Sequence, residues 1–254
     1  MFTTNHIILL ISSIAIIVTY LLIQKKFNFS YRTKLIALFC VGIVSEIVKI
    51  MVNMVPIVGN SFETSGTYLT QESLPFHLCS IQLFFVIFLL FFIEQETTKQ
   101  VLLEFMFPTM CLGASISLFV PTEGVAFNDP QVYQYFIYHA YIIAFAIDLV
   151  MSNIIKVSWK TLIRNICLLF GFSILAIYLN SMFQDHATNF MFVARPPLEG
   201  MPILNLKHGW YDYYVKLVIL AVIALTIFHT PFILTQKNRD AKLNNNKHYY
   251  SYIN

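Results

Sequence analysis

Residues 74–82 place a histidine, a thiol and an amide at the start of a strongly apolar stretch. The run reads Leu-Pro-Phe-His-Leu-Cys-Ser-Ile-Gln, so Cys79 and Gln82 lie about one helical turn apart. A thiol at the start of a helix is biased toward the thiolate by the helix dipole, and a nearby imidazole would complete the pair that nucleophilic acyl transfer requires. Cys79 is therefore the candidate nucleophile.

Two histidines are candidates for that imidazole. His77 precedes Cys79 by two residues and points to a different face of the helix. His139 lies in the outer half of a later apolar stretch, at a depth similar to that of Cys79. The spacing does not show whether Cys79 and His139 meet. Metal binding by His77, Cys79 and His139 has no ligand-spacing signature, so we predict neither a metal site nor a cofactor.

The chain as a whole is too apolar for a soluble domain, since 57% of its 254 residues are hydrophobic and only 11% are charged. Seven stretches are each long enough to cross the hydrocarbon of a bilayer. They are 6–23, 35–55, 77–93, 101–120, 133–151, 163–182 and 215–234. We predict an all-α fold, a polytopic membrane helix bundle with about seven transmembrane helices. The net charge of +3 lies mostly in short loops and does not indicate nucleic-acid binding.

Basic residues orient this bundle, because lysine and arginine collect in cytoplasmic loops. Three basic clusters follow helices 1, 5 and 7, and they fall on one side only if the number of helices is odd. The clusters are Lys25, Lys26, Arg32 and Lys34; Lys156, Lys160 and Arg164; and Lys237, Arg239, Lys242 and Lys247. We predict a multi-pass protein of the cell membrane with its N-terminus outside and its C-terminus inside. Residues 1–236 would form the transmembrane domain and residues 237–254 a short polar cytoplasmic tail.

With this topology, further polar residues converge on the outer ends of the helices around Cys79. Polar groups inside a membrane are costly, so they are candidates for a functional site by default. Glu46, Lys49 and Asn53 share one face of helix 2, because they are spaced three and four residues apart. The predicted substrate-binding residues are Glu46, Lys49, Asn53, His77, Gln82, Tyr135, Asn180, Asn189 and Arg195. Residues 184–214 form a long connection that we expect to cover them as a lid.

Several of these residues also have a simpler structural explanation. Glu46 and Lys49 can neutralise one another inside the bundle. Cys79 alone can serve as a small packing residue, and His139 can hydrogen-bond a neighbouring helix. The coincidence of all these groups at one depth is what favours a site.

Four segments carry a resemblance to a known family. They are Leu-Pro-x-His-x-Cys at 74–79, Tyr-Phe-Ile-Tyr-His-Ala at 135–140, Thr-Asn-Phe-Met-Phe-Val-Ala-Arg-Pro at 188–196 and Pro-Phe at 231–232. With them the chain resembles the YwaF-like bacterial integral membrane proteins from helix 2 onward. An animal branch of that family is a multispanning acyltransferase that makes polyunsaturated ether phospholipids. The resemblance implies that Cys79, in the helix 3 motif, and His139, on a later helix, are the essential residues.

We therefore expect a cysteine-dependent phospholipid acyltransferase with a polar pocket in the outer leaflet. Cys79 would take the acyl group as a thioester, His139 would move the proton, and Gln82 or Asn189 could stabilise the oxyanion. The expected partner is membrane phospholipid, and the sequence predicts no particular oligomeric state.

The main alternative is non-catalytic binding or transport of a lipid or small molecule, in which the pocket matters and the thiol does not. A retinal-binding receptor would need a lysine near the middle of helix 7, whereas Lys216 lies at the outer end of that helix.

Overall fold

The computed structural model describes residues 3–56, 67–121, 124–183, 188–198 and 200–251, with side chains described no further than Gln236. Within these ranges the α-helices are α1 (Thr4–Phe27), α2 (Tyr31–Asn53), α3 (Ile81–Ile87), α4 (Glu96–Phe119), α5 (Pro130–Met151), α6 (Trp159–Met182) and α7 (Trp210–Ser251). All but α3 are long and apolar enough to cross a membrane. The predicted all-α polytopic helix bundle is confirmed. Two three-residue strands, β1 (Met54–Pro56) and β2 (Thr67–Leu69), pair antiparallel between α2 and α3.

Short polar residues begin four of the helices just ahead of the apolar stretches. Thr3, Ser30 and Ser158 each accept a hydrogen bond from a backbone N–H in the first turn of the helix that follows. Asp129 does the same for α5, directly before Pro130. These caps satisfy N–H groups that have no partner within a helix. They explain why these helices begin two to four residues before the apolar stretches.

The helix α5 lies at the centre of the bundle, where it contacts α1, α2 and α4. Its residues Ile142, Phe145 and Leu149 are fully buried. Other helices present large apolar side chains outward, as Ile11 and Leu22 of α1 do with 62% of their surface exposed. Such outward-facing apolar surfaces are expected where lipid surrounds the protein.

Ion pairs join the helices at the end of the bundle where α2, α4 and α6 begin. Lys34 Nζ lies 2.7 Å from Asp148 Oδ2 of α5 and donates to Ser152 Oγ at 3.0 Å. Arg164 of α6 pairs with Glu104 of α4. Lys34 and Arg164 are therefore helix residues with acidic partners, and not the loop cations that the sequence suggests.

A proline in α4 is accommodated by a side chain from α6. Pro108 has no N–H, so the carbonyl of Glu104 loses its helical partner. Asn165 Nδ2 donates to that carbonyl at 2.8 Å. This bond ties α4 to α6 at the point where the backbone ladder is broken.

The third helix begins later than the sequence predicts, at Ile81 and not at residue 77. Pro75 holds the preceding Leu74 in an extended conformation, with ψ 147°. Residues 74–80 then form turns in which Phe76 N–H donates to the Leu74 carbonyl. The seven residues of α3 and a π-helical turn of five, Phe88–Phe92, span only about 18 Å together. Since the hydrocarbon is about 30 Å thick, a crossing at α3 has to include these turns.

Candidate functional site

Cys79 lies in the turn before α3 and is buried. Its sulfur is 4.0 Å from Ser117 Oγ of α4, and a Cβ added to Gly113 of α4 would lie 3.4 Å from the same sulfur. Tyr138 of α5 donates its hydroxyl proton to the carbonyl oxygen of Cys79 at 2.8 Å. The thiol thus faces α4, while α5 holds its backbone.

His139 follows Tyr138 on α5 and is also buried. Its Nδ1 donates to the carbonyl of Tyr135 at 2.6 Å, which leaves the lone pair on Nε2. Its ring centroid lies 4.2 Å from that of Tyr135, whose hydroxyl donates to the carbonyl of Ser117. Cys79 and His139 are thereby linked through Tyr138 and through Tyr135 and Ser117. Among the described contacts of the two residues there is no direct hydrogen bond between them.

An ion pair on α2 borders the same turn. Lys49 Nζ lies 2.7 Å from Glu46 Oε2 and 3.5 Å from Ser80 Oγ, next to Cys79 in the chain. Asn53 Nδ2 donates to the Lys49 carbonyl, within its own helix. Glu46 and Lys49 therefore neutralise one another and also line the turn that carries the thiol.

Gln82 uses both hydrogens of its side-chain amide inside the protein. They are donated to the carbonyl of Leu78 at 2.9 Å and to Thr109 Oγ1 at 3.1 Å. Its Oε1 is buried without a hydrogen-bond partner among the described residues. Stabilising an oxyanion requires a donor, so in this arrangement Gln82 supports the turn and offers only an acceptor.

Two predicted amides hold the loop between α6 and α7. Asn180 Oδ1 accepts from the N–H of Phe190 at 2.8 Å, and Asn180 Nδ2 donates to the Phe190 carbonyl at 3.2 Å. Asn189 Oδ1 accepts from the N–H groups of Ala194 and Arg195. Both amides thus define the shape of the loop.

Residues 190–193 of the predicted lid are tied to α6 and α7 by hydrogen bonds. Trp210 Nε1 donates to the carbonyl of Val193 at 2.9 Å, and the Tyr213 hydroxyl donates to the carbonyl of Phe192. His77 packs its ring against Phe190 and Phe192, with centroids 5.4 Å and 5.9 Å away. Residues 184–187 and 199 of the predicted lid lie outside the described residues.

Two cavities lie beside these groups. The first, which we call the α3–α6 groove, has a volume of about 360 Å³ and is lined by apolar side chains, among them Phe76, Ile81, Phe172, Ala176, Leu179 and Met191. The second, which we call the Arg195 cleft, has a volume of about 370 Å³ and is polar in part. Neither is lined by Cys79 or His139, although Phe76 and Ile81 flank Cys79 in the chain.

The predicted residues therefore fall into two neighbouring groups, one around the Cys79 turn and one around the loop after α6. Within the described residues no cluster of three His, Cys, Asp or Glu side chains could hold a metal ion. Ser117 and Thr188 are polar neighbours of these groups that the sequence reasoning missed. For Ser117 a signal existed, because Gly113 and Ser117 form a pair of small residues four apart, which often marks a helix contact in membranes.

The chain belongs to the TMEM164 family, whose family model matches residues 1–230. The matched range includes every residue of both groups. The match supports a membrane family of this type, but neither the YwaF-like name nor a bacterial origin. No curated protein and no solved structure matches the chain.

Proposed function

We propose that this member of the TMEM164 family is a phospholipid acyltransferase that carries the acyl group as a thioester on Cys79. The observation that carries the proposal is the place of the thiol, buried in a turn of non-helical backbone between α2, α4 and α5. Such backbone is tolerated in a membrane only where protein buries it or where it lines a cavity. The resemblance to the YwaF-like proteins, which have an acyltransferase branch, implies that the same cysteine is essential.

The reaction would proceed in two steps. In the first, the sulfur of Cys79 attacks the ester carbonyl carbon of a phospholipid, and His139 Nε2 takes the thiol proton. The ester C–O bond breaks, and the lysophospholipid leaves with that proton on its hydroxyl oxygen. In the second, the hydroxyl of an acceptor lipid attacks the thioester, passes its proton through His139 to the sulfur, and restores the thiol.

The α3–α6 groove is suited to the acyl chain of such a lipid. Its lining is apolar, and Phe84 and Phe88 at its edge are 39% and 48% exposed, so it opens toward the surrounding lipid. The Cys79 sulfur lies on the α4 side of the turn, so acylation requires this side chain to rotate toward the groove. The contact with Ser117 Oγ at 4.0 Å is long, so the sulfur loses little hydrogen bonding when it rotates.

Intact-mass measurement of the purified protein tests the covalent step. After incubation with phospholipid vesicles we expect a mass increase of one acyl chain, which treatment with hydroxylamine removes. Cys79→Ser should abolish the adduct. Cys111→Ser is the matched control, because Cys111 is also buried but lies among apolar side chains of α4. We also expect labelled acyl chains to move between lipids in proteoliposomes.

The proposal fails if the wild type shows no adduct and no exchange across varied donors, or if exchange survives in Cys79→Ser. Non-covalent lipid binding or transport would then account for the groove. We also propose that the protein is related to the YwaF-like proteins and that it lies in the cell membrane.

A further inference from the structure

A buried hydroxyl that has no partner in the described part of the chain lies in the Arg195 cleft. The cleft is lined by Asn180, Thr188, Ala194, Arg195, Leu206 and Trp210. Thr188 is only 1% exposed, and its Oγ1 has no hydrogen-bond partner among the described residues. A hydroxyl withdrawn from water without a partner costs free energy, and native proteins seldom leave one in that state. A ligand with an oxygen acceptor would satisfy it.

Among the described residues, the charged groups at this cleft favour an anion. The Arg195 side chain is exposed at the cleft, and a guanidinium can bind two oxygens of one phosphate. The helix α7 begins at Trp210, so the positive end of its dipole lies on the same side. Asp212 in the first turn is paired with Lys216 at 2.6 Å, and its charge is largely offset.

The cleft and the apolar groove follow one another along α6. Ala176 and Leu179 line the α3–α6 groove, and Asn180 lines the Arg195 cleft. These residues lie within about one turn of the helix, roughly 6 Å. An amphiphile with a phosphate at one end and an acyl chain at the other matches this succession of polar and apolar walls.

We infer that the Arg195 cleft binds the phosphate of a glycerophospholipid, with an acyl chain of the same molecule in the α3–α6 groove. Arg195 binds the charge and Thr188 donates its hydroxyl proton to a phosphate oxygen. The inference rests on the proposed function only for the statement that this lipid is a substrate. Binding itself requires no acyl transfer.

The tryptophan in the cleft allows a direct test. The chain has two tryptophans, and Trp159 begins α6 at the opposite end of the bundle. In a Trp159→Phe background, purified in maltoside detergent, the emission of Trp210 reports on the cleft. The probes are dihexanoyl phosphatidic acid, dihexanoyl glycerol with the same chains and no phosphate, and inorganic phosphate.

We expect phosphatidic acid to change the emission in a saturable manner, with a Kd at least about tenfold below that of the diacylglycerol and of inorganic phosphate. Arg195→Gln and Thr188→Val should each raise the Kd about tenfold, the loss expected for a hydrogen bond to a charged group. Arg195→Lys should recover part of the affinity. The control is Lys207→Gln, which removes an exposed basic residue that does not line the cleft.

Equal Kd values for the two lipids, or an Arg195→Gln protein that binds like the wild type, would overturn the inference. Saturation by inorganic phosphate at the same concentration as the lipid would assign the cleft to a free anion and overturn the lipid assignment. If Thr188→Val does not fold, Arg195→Gln decides, because that side chain is exposed. Phosphate-dependent binding without acyl exchange would support the inference and overturn the proposed function. Acyl exchange without phosphate-dependent binding would support the proposed function and overturn the inference.

Discussion

Cys79 differs from the other three cysteines in its neighbours. Cys40 and Cys167 are exposed on the apolar surface of the bundle, and Cys111 is buried in α4. Only around Cys79 do the described contacts include a hydroxyl at the sulfur and a tyrosine hydroxyl at the backbone carbonyl. A catalytic role for the Cys79 thiol is therefore tested with control residues that are also buried but lack these neighbours.

Histidine provides such a comparison, because His139 and His229 make the same local bond. Each is buried and donates Nδ1 to the carbonyl four residues earlier in its helix, at 2.6 Å and 2.8 Å. Only His139 lies beside Tyr138 and the Cys79 turn. Since a general base contributes about 10²-fold to 10⁴-fold, His139→Ala should lower the rate of acyl exchange at least about 100-fold. His229→Ala should change it less than about threefold, and equal losses in the two variants would contradict the assignment of the base.

Tyr138 should act by holding the backbone of Cys79. Tyr138→Phe removes the hydroxyl that bonds the Cys79 carbonyl at 2.8 Å. We expect a loss of about 1 kcal/mol in the free energy of unfolding and a fall in acyl exchange, because the turn becomes less well fixed. Tyr141→Phe serves as the control, because it removes a tyrosine hydroxyl from the same helix that does not bond to the Cys79 carbonyl. Calorimetry and the exchange assay measure the two effects, and an active, fully stable Tyr138→Phe protein would contradict this role.

At the scale of the helices, apolar length predicts most of the elements. Six of the predicted stretches coincide with long helices, because a bilayer requires a continuous apolar run and the run is visible in the sequence. The predicted start of α3 is wrong because hydropathy carries no information on backbone geometry. Residues 74–80 are apolar enough to continue a helix, yet Pro75 and the turns after it prevent one.

The sequence predicts which residue types gather around the Cys79 turn, but not the partner of each side chain. Their spacing places Glu46 and Lys49 on one face of helix 2, where they can neutralise one another, and the structure pairs them. Asn180 and Asn189 are predicted to bind substrate, and the structure shows their side chains bound to the backbone of the loop. Their role in substrate binding stays a prediction. An amide has the same donors and acceptors in either role, so its type alone does not distinguish them.

The contact between α2 and α5 depends on a buried ion pair. The side chains of Lys34 and Asp148 are only 3% and 4% exposed. Asp148→Asn leaves the Lys34 charge buried without its partner, which should lower the free energy of unfolding by about 3–5 kcal/mol. Glu96→Gln is the control, because Glu96 is 85% exposed in its pair with Lys99 and should cost at most about 1 kcal/mol. Unfolding in a detergent titration measures both values, and a double Lys34→Met, Asp148→Leu variant should regain much of the loss.

Across the whole molecule, the helices alternate in direction. The pair Lys34 and Asp148 joins the start of α2 to the end of α5, and Cys79 and Ser117 join the start of α3 to the end of α4. The Cys79 turn, the α3–α6 groove and the Arg195 cleft thus lie toward the end of the bundle where α3, α5 and α7 begin. The orientation of the chain decides which leaflet this end meets.

We predict that this end faces outward, because the exposed cations Lys25, Lys26, Lys156 and Lys160 lie at the other end. In a protein with Cys40→Ala and Cys167→Ala, a membrane-impermeant maleimide added to intact cells should label Lys207→Cys. Lys26→Cys and Lys160→Cys should be labelled only after permeabilisation.

The two inner reporters also test α3, because they lie on the same side only if α3 crosses the membrane together with α2, α4 and α5. Labelling of Lys160→Cys alone from outside would make α3 a re-entrant segment. Labelling of both inner reporters from outside, with Lys207→Cys protected, would reverse the orientation and move the Cys79 turn and the Arg195 cleft to the cytoplasmic leaflet.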